Sequence, residues 1–250
     1  MPVHYAGDPG KLDQLYKVAK RHNLLVIEDA AHAFGSNFQE KRIGSFGDIA
    51  CFSFDGIKNI TSGEGGCIVS DDLSFIEKVK DLRLLGVIND SEKRFKGERS
   101  WDFDSIHQGW RYHMSNIMAA IGIEQLKKFP KFLKKRQSLA KKYDALFLKD
   151  QLIRPFKRDY DNIVPHIYVV RIKGLRDRKS LQQKMLKKRV QVGYHYLPNH
   201  FLTKYKNTRK TSLDITESIF EELLTLPMHP DLSEYDLDYI GRELKKLVNE

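Results

Sequence analysis

The reading turns on Val26-Ile27-Glu28-Asp29-Ala30-Ala31-His32-Ala33-Phe34-Gly35, followed by Phe52-Ser53-Phe54-Asp55-Gly56-Ile57-Lys58-Asn59 and then Gly63-Glu64-Gly65-Gly66. In the first piece an apolar run, Leu24-Leu25-Val26-Ile27, leads into two adjacent carboxylates. Such a short, wholly apolar run reads as a strand buried on both faces, the usual situation in a parallel sheet. Ile49 to Phe54 and Cys67-Ile68-Val69 are two more runs of this kind. Ahead of the first run, Leu12, Leu15, Val18 and Ala19 share one helical face after the turn residues Asp8-Pro9-Gly10. Phe75, Ile76, Val79 and Leu82 repeat that spacing after the third run. Helices alternating with buried strands predict an α/β fold with an open sheet, in which ligands collect beyond the carboxyl ends of the strands. Asp29 and the loop after Phe54 stand at such ends.

Working outward, residues 87–108 are polar and irregular and read as a long surface loop. From Met114 the spacing of Ile117, Ala120, Ile121, Glu124 and Gln125 predicts a helix, broken at Pro130 and resuming to about Leu148. Beyond it a smaller α/β domain is expected. Its parts are a strand at Ile167–Ile172, a basic helix from Arg176 to Arg189 and a strand from Val190 to Tyr196. Helix starts follow at Asp214-Ile215-Thr216-Glu217 and Ser233-Glu234-Tyr235-Asp236, both with capping chemistry. The second leads to Leu237, Ile240, Leu244, Leu247 and Val248 on one face. The division expected is 1–128 and 129–250.

Composition narrows the function classes. No apolar run reaches the ~18 residues a membrane span needs. Met1 to Tyr5 lacks the basic stretch and apolar core of a secretory signal, so a cytoplasmic protein is expected. Cys51 and Cys67 lie in apolar runs without CxxC spacing and read as small buried hydrophobes in a reducing compartment, with no metal site expected. The net charge is +10, which would suit nucleic acid. However, Lys127, Lys128, Lys131, Lys134, Lys135, Lys141 and Lys142 alternate at helical spacing with Phe132, Leu133, Leu139 and Tyr143. That is a solvated helix face, so no nucleic-acid partner is expected, although the basic balance also suits a phosphorylated small molecule.

Taken singly, the opening motifs are ordinary. An Asp at a strand end commonly caps a helix, a Lys in a loop is commonly solvated, and a Gly-rich turn commonly closes a hairpin. Together they are specific. EDAAHAFGS (28–36), IGSFGD (43–48), FSF…K (52–58) and GEGG (63–66), in this order and spacing, resemble the DegT/DnrJ/EryC1/StrS family of pyridoxal-phosphate (PLP) sugar aminotransferases. Gly109 to Leu126 is similar to that family's dimer-interface segment, and Tyr194-His195-Tyr196 and Leu226-Pro227-Met228-His229-Pro230 look like its later landmarks.

The resemblance implies a partial fold type I (aspartate aminotransferase-like) large domain followed by a smaller C-terminal α/β domain. It implies that Lys58 carries the cofactor as a Schiff base and then moves the proton, and that Asp29 pairs with the protonated pyridine nitrogen. It implies that His32 hydrogen-bonds the cofactor's phenolic oxygen and that Ser53 contacts its phosphate. The substrate class implied is a nucleotide-linked keto-sugar with an amino-acid donor, glutamate, in a homodimer whose subunits share each site. Related 3-dehydratases replace the lysine with histidine, so the lysine at 58 favours transamination. Two departures stand out. Arg111 occupies a position where the family commonly has an Asn that reaches the partner subunit's cofactor phosphate; Arg could make the same contact with a charge-assisted bond. The family's N-terminal third has no counterpart here. The alternative reading is therefore a remnant, or one fragment of a split enzyme that needs that part.

Overall fold

The computed structural model describes residues 1–88, 93, 96–98, 103–208 and 211–250. The chain divides into two compact units, one of Met1–Tyr5 with Pro9–Pro130 and one of Ala6–Asp8 with Lys131–Glu250.

In the first unit, α1 (Leu12–Arg21) precedes β1 (Ile27–Asp29), and a two-stranded hairpin of β2 (Asn37–Phe38) and β3 (Lys41–Arg42) follows. Then come β4 (Ile49–Ser53), β5 (Gly66–Val69) and α2 (Leu73–Leu82). The sheet order is β1-β4-β5. β1 runs parallel to β4, with Ile27 level with Ile49, Glu28 with Ala50 and Asp29 with Cys51. β5 runs antiparallel to β4, with Phe52 opposite Cys67 and Ser53 opposite Gly66. The sheet is thus mixed rather than wholly parallel. Side chains alternate between faces along a strand, so Glu28, Ala50 and Phe52 share one face and Asp29, Cys51 and Ser53 the other.

The first of these faces is covered along β1 and β4, although Val69 of β5 is exposed on it. Leu12, Ala30, Ala33 and Ile43 form a buried cluster, with Tyr16, Phe38, Phe46 and Phe52 packed against it. Phe34 adds edge contacts to Phe52, Phe54 and Phe129. On the other face Ile27 and Ile68 are exposed, as are Leu24 and Leu25 before β1. The expectation of a strand at 24–27 buried on both faces is corrected accordingly. Pairing begins only at Ile27, because that is where β4 comes into register. α2 is capped by Asp72, whose carboxylate accepts from Phe75 N–H at 3.0 Å. Of the loop expected at 87–108, residues 89–92, 94–95 and 99–102 lie outside the described residues; Val87 and Ser105 form one bridge across it.

α3 (Asn116–Phe147) runs unbroken through Pro130, where a break was expected. Proline removes one hydrogen bond and crowds the preceding turn. In a helix of 32 residues the flanking turns hold the element together across that gap.

The second unit has an antiparallel sheet ordered β6 (Ile153–Pro155), β7 (Tyr168–Ile172) and β8 (Leu223–Leu226). With it come α4 (Arg178–Lys187), α5 (Asp214–Glu222) and α6 (Glu234–Val248). One core cluster gathers Tyr143 and Phe147 of α3, Tyr168 and Leu224 of the sheet, Met185 of α4 and Leu244 of α6. Tyr143 and Tyr168 stack at 4.6 Å between centroids, and Tyr168 donates to Asp144 at 2.6 Å. Arg136 is buried and donates to the carbonyls of Pro165, His166 and Met228 at 3.1–3.3 Å. Burial pushes its pKa down to about 10, so it stays charged at neutral pH while it ties together two loops that lack regular pairing.

Two expectations for this unit are corrected. Val190–Tyr196 is not a strand, because only Gly193 pairs, with Thr225, through two backbone hydrogen bonds of 3.0 and 2.8 Å. Val190 and Val192 instead turn into the core. α5 starts without a side-chain cap, since its N-cap residue is Leu213, whose side chain has no hydrogen-bond acceptor. The start at Ser233 is a complete capping box with Asp236.

These contacts set two stability expectations. Leu244→Ala removes a fully buried side chain and should cost about 2–5 kcal/mol. Ser233→Ala removes a cap and should cost about 1 kcal/mol. Urea denaturation of the two variants should rank them in that order.

Candidate active site

The parallel pairing of β1 with β4 brings two carboxyl ends side by side. Asp29 is the last residue of β1, level with Cys51, and Ala30 N–H donates to Cys51 C=O at 2.9 Å. Ser53 is the last residue of β4, two positions further on and on the same face. The chain then leaves the sheet, turns through Lys58 and returns into β5 at Gly66. Three of the expected residues thus belong to one sheet edge: Asp29 and Ser53 on adjacent strands, Lys58 in the loop that springs from the second. All three are half-buried.

Local bonding fixes each of them. Asp29 Oδ1 accepts from Ala31 N–H at 3.1 Å, an Asx turn that directs the chain away from the strand. Ser53 Oγ accepts from Asp55 N–H at 3.4 Å. The Lys58 loop is pinned at its base. Phe54 N–H donates to Gly65 C=O at 2.8 Å, and Phe54 C=O accepts from Ser62 N–H at 2.9 Å. Within it Lys58 N–H donates to Asp55 C=O at 3.0 Å and Ile57 N–H to the Asp55 carboxylate at 3.0 Å. Gly65, at φ +152°, has no room for a side chain: a Cβ there would lie 2.5 Å from Met114 Cε.

His32 is buried in the turn beyond Asp29, with the Tyr5 ring 6.4 Å away, centroid to centroid. Arg111 belongs to a different pairing. Its backbone bridges to Leu84 after α2 and its side chain is exposed. Two features at this edge escaped the sequence reading. Cys51 shares the face of Asp29 and Ser53; burial and then the Asp29 charge push its thiol pKa up, keeping it protonated and a poor nucleophile. Glu28, adjacent to Asp29, is buried on the opposite face with His4 and Tyr16. Strand alternation alone could have separated those two carboxylates. No helix among the described residues is long and apolar enough to cross a membrane.

The model of the DegT/DnrJ/EryC1/StrS aminotransferase family matches residues 1–245. The chain belongs to that family. It is 31% identical over 250 residues to a UDP-4-amino-4,6-dideoxy-N-acetyl-beta-L-altrosamine transaminase of Campylobacter jejuni, covering 98% of this chain and 64% of that one. It is 30% identical over 256 residues to the spore coat polysaccharide biosynthesis protein SpsC of Bacillus subtilis, covering 99% of this chain and 66% of that one. Among solved structures, Helicobacter pylori PseC, an aminotransferase of pseudoaminic acid biosynthesis, superposes with a TM-score of 0.90 at 26% identity, over 99% of this chain and 66% of that one. The chain thus spans about two thirds of the length of these relatives. The fold is that of the fold type I aminotransferases, in part.

The position of Cys51 allows a test that needs no ligand. In a Cys67→Ala background, Asp29→Asn removes the negative charge that raises the Cys51 thiol pKa, so more thiolate forms at a given pH. Iodoacetamide labelling of Cys51 at pH 8 should quicken by about two- to tenfold.

Proposed function

We propose that this chain is the pyridoxal-phosphate-binding part of a sugar aminotransferase that moves an amino group from glutamate to a nucleotide-linked keto-sugar. The observation that carries the reading is the common edge shared by Asp29, Ser53 and the Lys58 loop. The donor set suits the cofactor. A primary amine can condense with its aldehyde, a carboxylate can face its ring nitrogen, and a hydroxyl can meet its phosphate. The neighbouring thiol of Cys51, held protonated, does not compete for the aldehyde.

When bound, pyridoxal phosphate supplies an electron-withdrawing ring that acidifies the carbon bearing the amino group. Lys58 Nζ would hold the cofactor and, once an amino donor displaces it, take a proton from the donor carbon and return it. Asp29 would keep the ring nitrogen protonated, and His32 would hydrogen-bond the phenolic oxygen. Ser53 Oγ would take a phosphate oxygen. Arg111, exposed, would reach the phosphate held by a second copy. Transamination rather than dehydration is supported by the lysine at 58. The relatives, a UDP-amino-sugar transaminase and an aminotransferase of pseudoaminic acid biosynthesis, support the substrate class.

A second reading concerns completeness. Ile27 and Ile68 are exposed on the sheet face that carries Asp29, and about a third of the relatives' own length lies outside the part this chain matches. Both favour an activity that needs the further segment to cover that face.

The test is a PLP titration followed by borohydride reduction and peptide mapping. The expected outcome is one cofactor-modified peptide containing Lys58, absent in Lys58→Ala, and about tenfold or more weaker uptake in Asp29→Ala. A folded chain modified at random surface lysines, with no dependence on Lys58, would refute the assignment.

A further inference from the structure

On the covered face of the sheet, three side chains outside the site form one buried polar cluster. Glu28 and His4 are 1% and 0% exposed. His4 Nε2 lies 2.6 Å from Glu28 Oε2, and Tyr16 O–H of α1 donates to Glu28 Oε1 at 2.7 Å. Each carboxylate oxygen thus has its own partner. The His4 tautomer with its proton on Nε2 leaves Nδ1, which is buried without a hydrogen-bond partner, only a lone pair to bury. Burial and the hydrogen bond to Glu28 push the Tyr16 hydroxyl pKa well above the usual tyrosine range, so it remains a donor.

The cluster's position gives it a consequence for Asp29. His4 belongs to the segment that flanks β1 on the side away from β4. Val3 bridges Asp29 in parallel, Asp29 N–H donates to Pro2 C=O at 2.8 Å, and His4 N–H donates to Asp29 C=O at 3.0 Å. Both backbone polar groups of Asp29 are therefore held by residues 2–4, and the side-chain anchor of those residues is Glu28. The next residue, Tyr5, contacts the ring of His32. Without the anchor, the segment would rest on Asp29 by two backbone bonds beside exposed Met1 and Val3.

We propose that His4, Glu28 and Tyr16 are positioning residues that clamp residues 2–4 onto β1 and thereby fix the direction of the Asp29 carboxylate. The clamp acts through the backbone, from the face opposite the one Asp29 presents. Its importance to catalysis rests on the cofactor reading above. A carboxylate that must face a ring nitrogen within hydrogen-bond reach loses most of its effect when displaced by about 1 Å. The buried cluster limits that displacement, because any movement of Glu28 leaves a desolvated oxygen unpaired.

The test uses the full chain and two readouts. Amide hydrogen exchange needs no cofactor. In His4→Ala, exchange at the amides of position 4 and Asp29 should rise by about tenfold or more while amides of β4 and β5 keep their rates. His4→Gln, which can still donate to Glu28, should restore most of the protection. Tyr16→Phe, a smaller lesion that keeps the ring, should give an intermediate effect. A uniform rise across the sheet, or none at Asp29, would overturn the clamp. The second readout is PLP affinity by absorbance titration. His4→Ala should weaken it by about tenfold in the native background and leave it unchanged in an Asp29→Ala background. Equal losses in both backgrounds would overturn action through Asp29. A wild-type chain that takes up no PLP would count against the cofactor reading alone; the exchange result would still decide the clamp.

Discussion

The parallel pairing of β1 with β4 is the constraint on which the first unit depends. Parallel neighbours end on the same side, whereas antiparallel neighbours end on opposite sides. Had β1 and β4 run antiparallel, Asp29 and Ser53 would stand at opposite ends of the sheet. The register matters as much as the direction. With Asp29 level with Cys51, Ser53 falls one strand repeat beyond the aspartate on the same face. A slip of one residue would turn Asp29 into the aromatic cluster around Phe34 and Phe52 and expose Glu28 in its place.

The pair Glu28-Asp29 shows how one alternation gives two like residues different surroundings. Glu28 is enclosed, with a partner on each oxygen. Asp29 is half-buried and keeps carboxylate surface toward the open face, with one oxygen in an Asx turn. A charged group can act on a ligand only where it is not already fully paired by protein. By that criterion the surroundings of Asp29, not those of Glu28, suit the proposed contact with a ligand, and those of Glu28 suit holding.

The sequence made the grouping of the candidate site residues at strand ends more legible than the scaffold. EDAAHAFG and FSF…K are dense, unusual strings whose residues stay close to the strand ends that position them. The strand boundaries were less legible because an apolar run reports hydrophobicity, not pairing. Leu24 and Leu25 extend the run but precede the register with β4, and both are exposed. Val190 to Tyr196 has the composition of a strand, but β8 meets it only at Gly193, and the valines serve the core instead. β8 itself, Leu223–Leu226, is buried throughout and follows α5 without a turn signal, so no punctuation marks it. Pro130 misled in the opposite direction, since its local cost is outweighed when both flanking helical stretches are long. The clamp at His4 depends on contacts 12 and 24 residues apart in sequence, which no local pattern records.

The role proposed for Lys58 poses a harder physical problem than the strands, since a lysine that first held a group and then moved a proton would have to shift its amine while its backbone stayed put. The loop's backbone is held both at its base and at the Asp55–Lys58 turn, which leaves the lysine stem as the part free to move. Phe54 is bonded through both its N–H and its C=O, Thr61 Oγ1 accepts from Gly63 N–H at 2.8 Å, and Ser62 Oγ donates to Glu64 C=O at 2.8 Å. The sulfur of Met118 and the methyl of Met114 fill the space beside Gly63 and Gly65, where a side chain would force the turn open. Beside Lys58, Gly56 and Ile57 are exposed while Asn59 and Ile60 are buried. The lysine therefore stands where the loop passes from solvent into packing, so its four-carbon stem can swing from an anchored Cα.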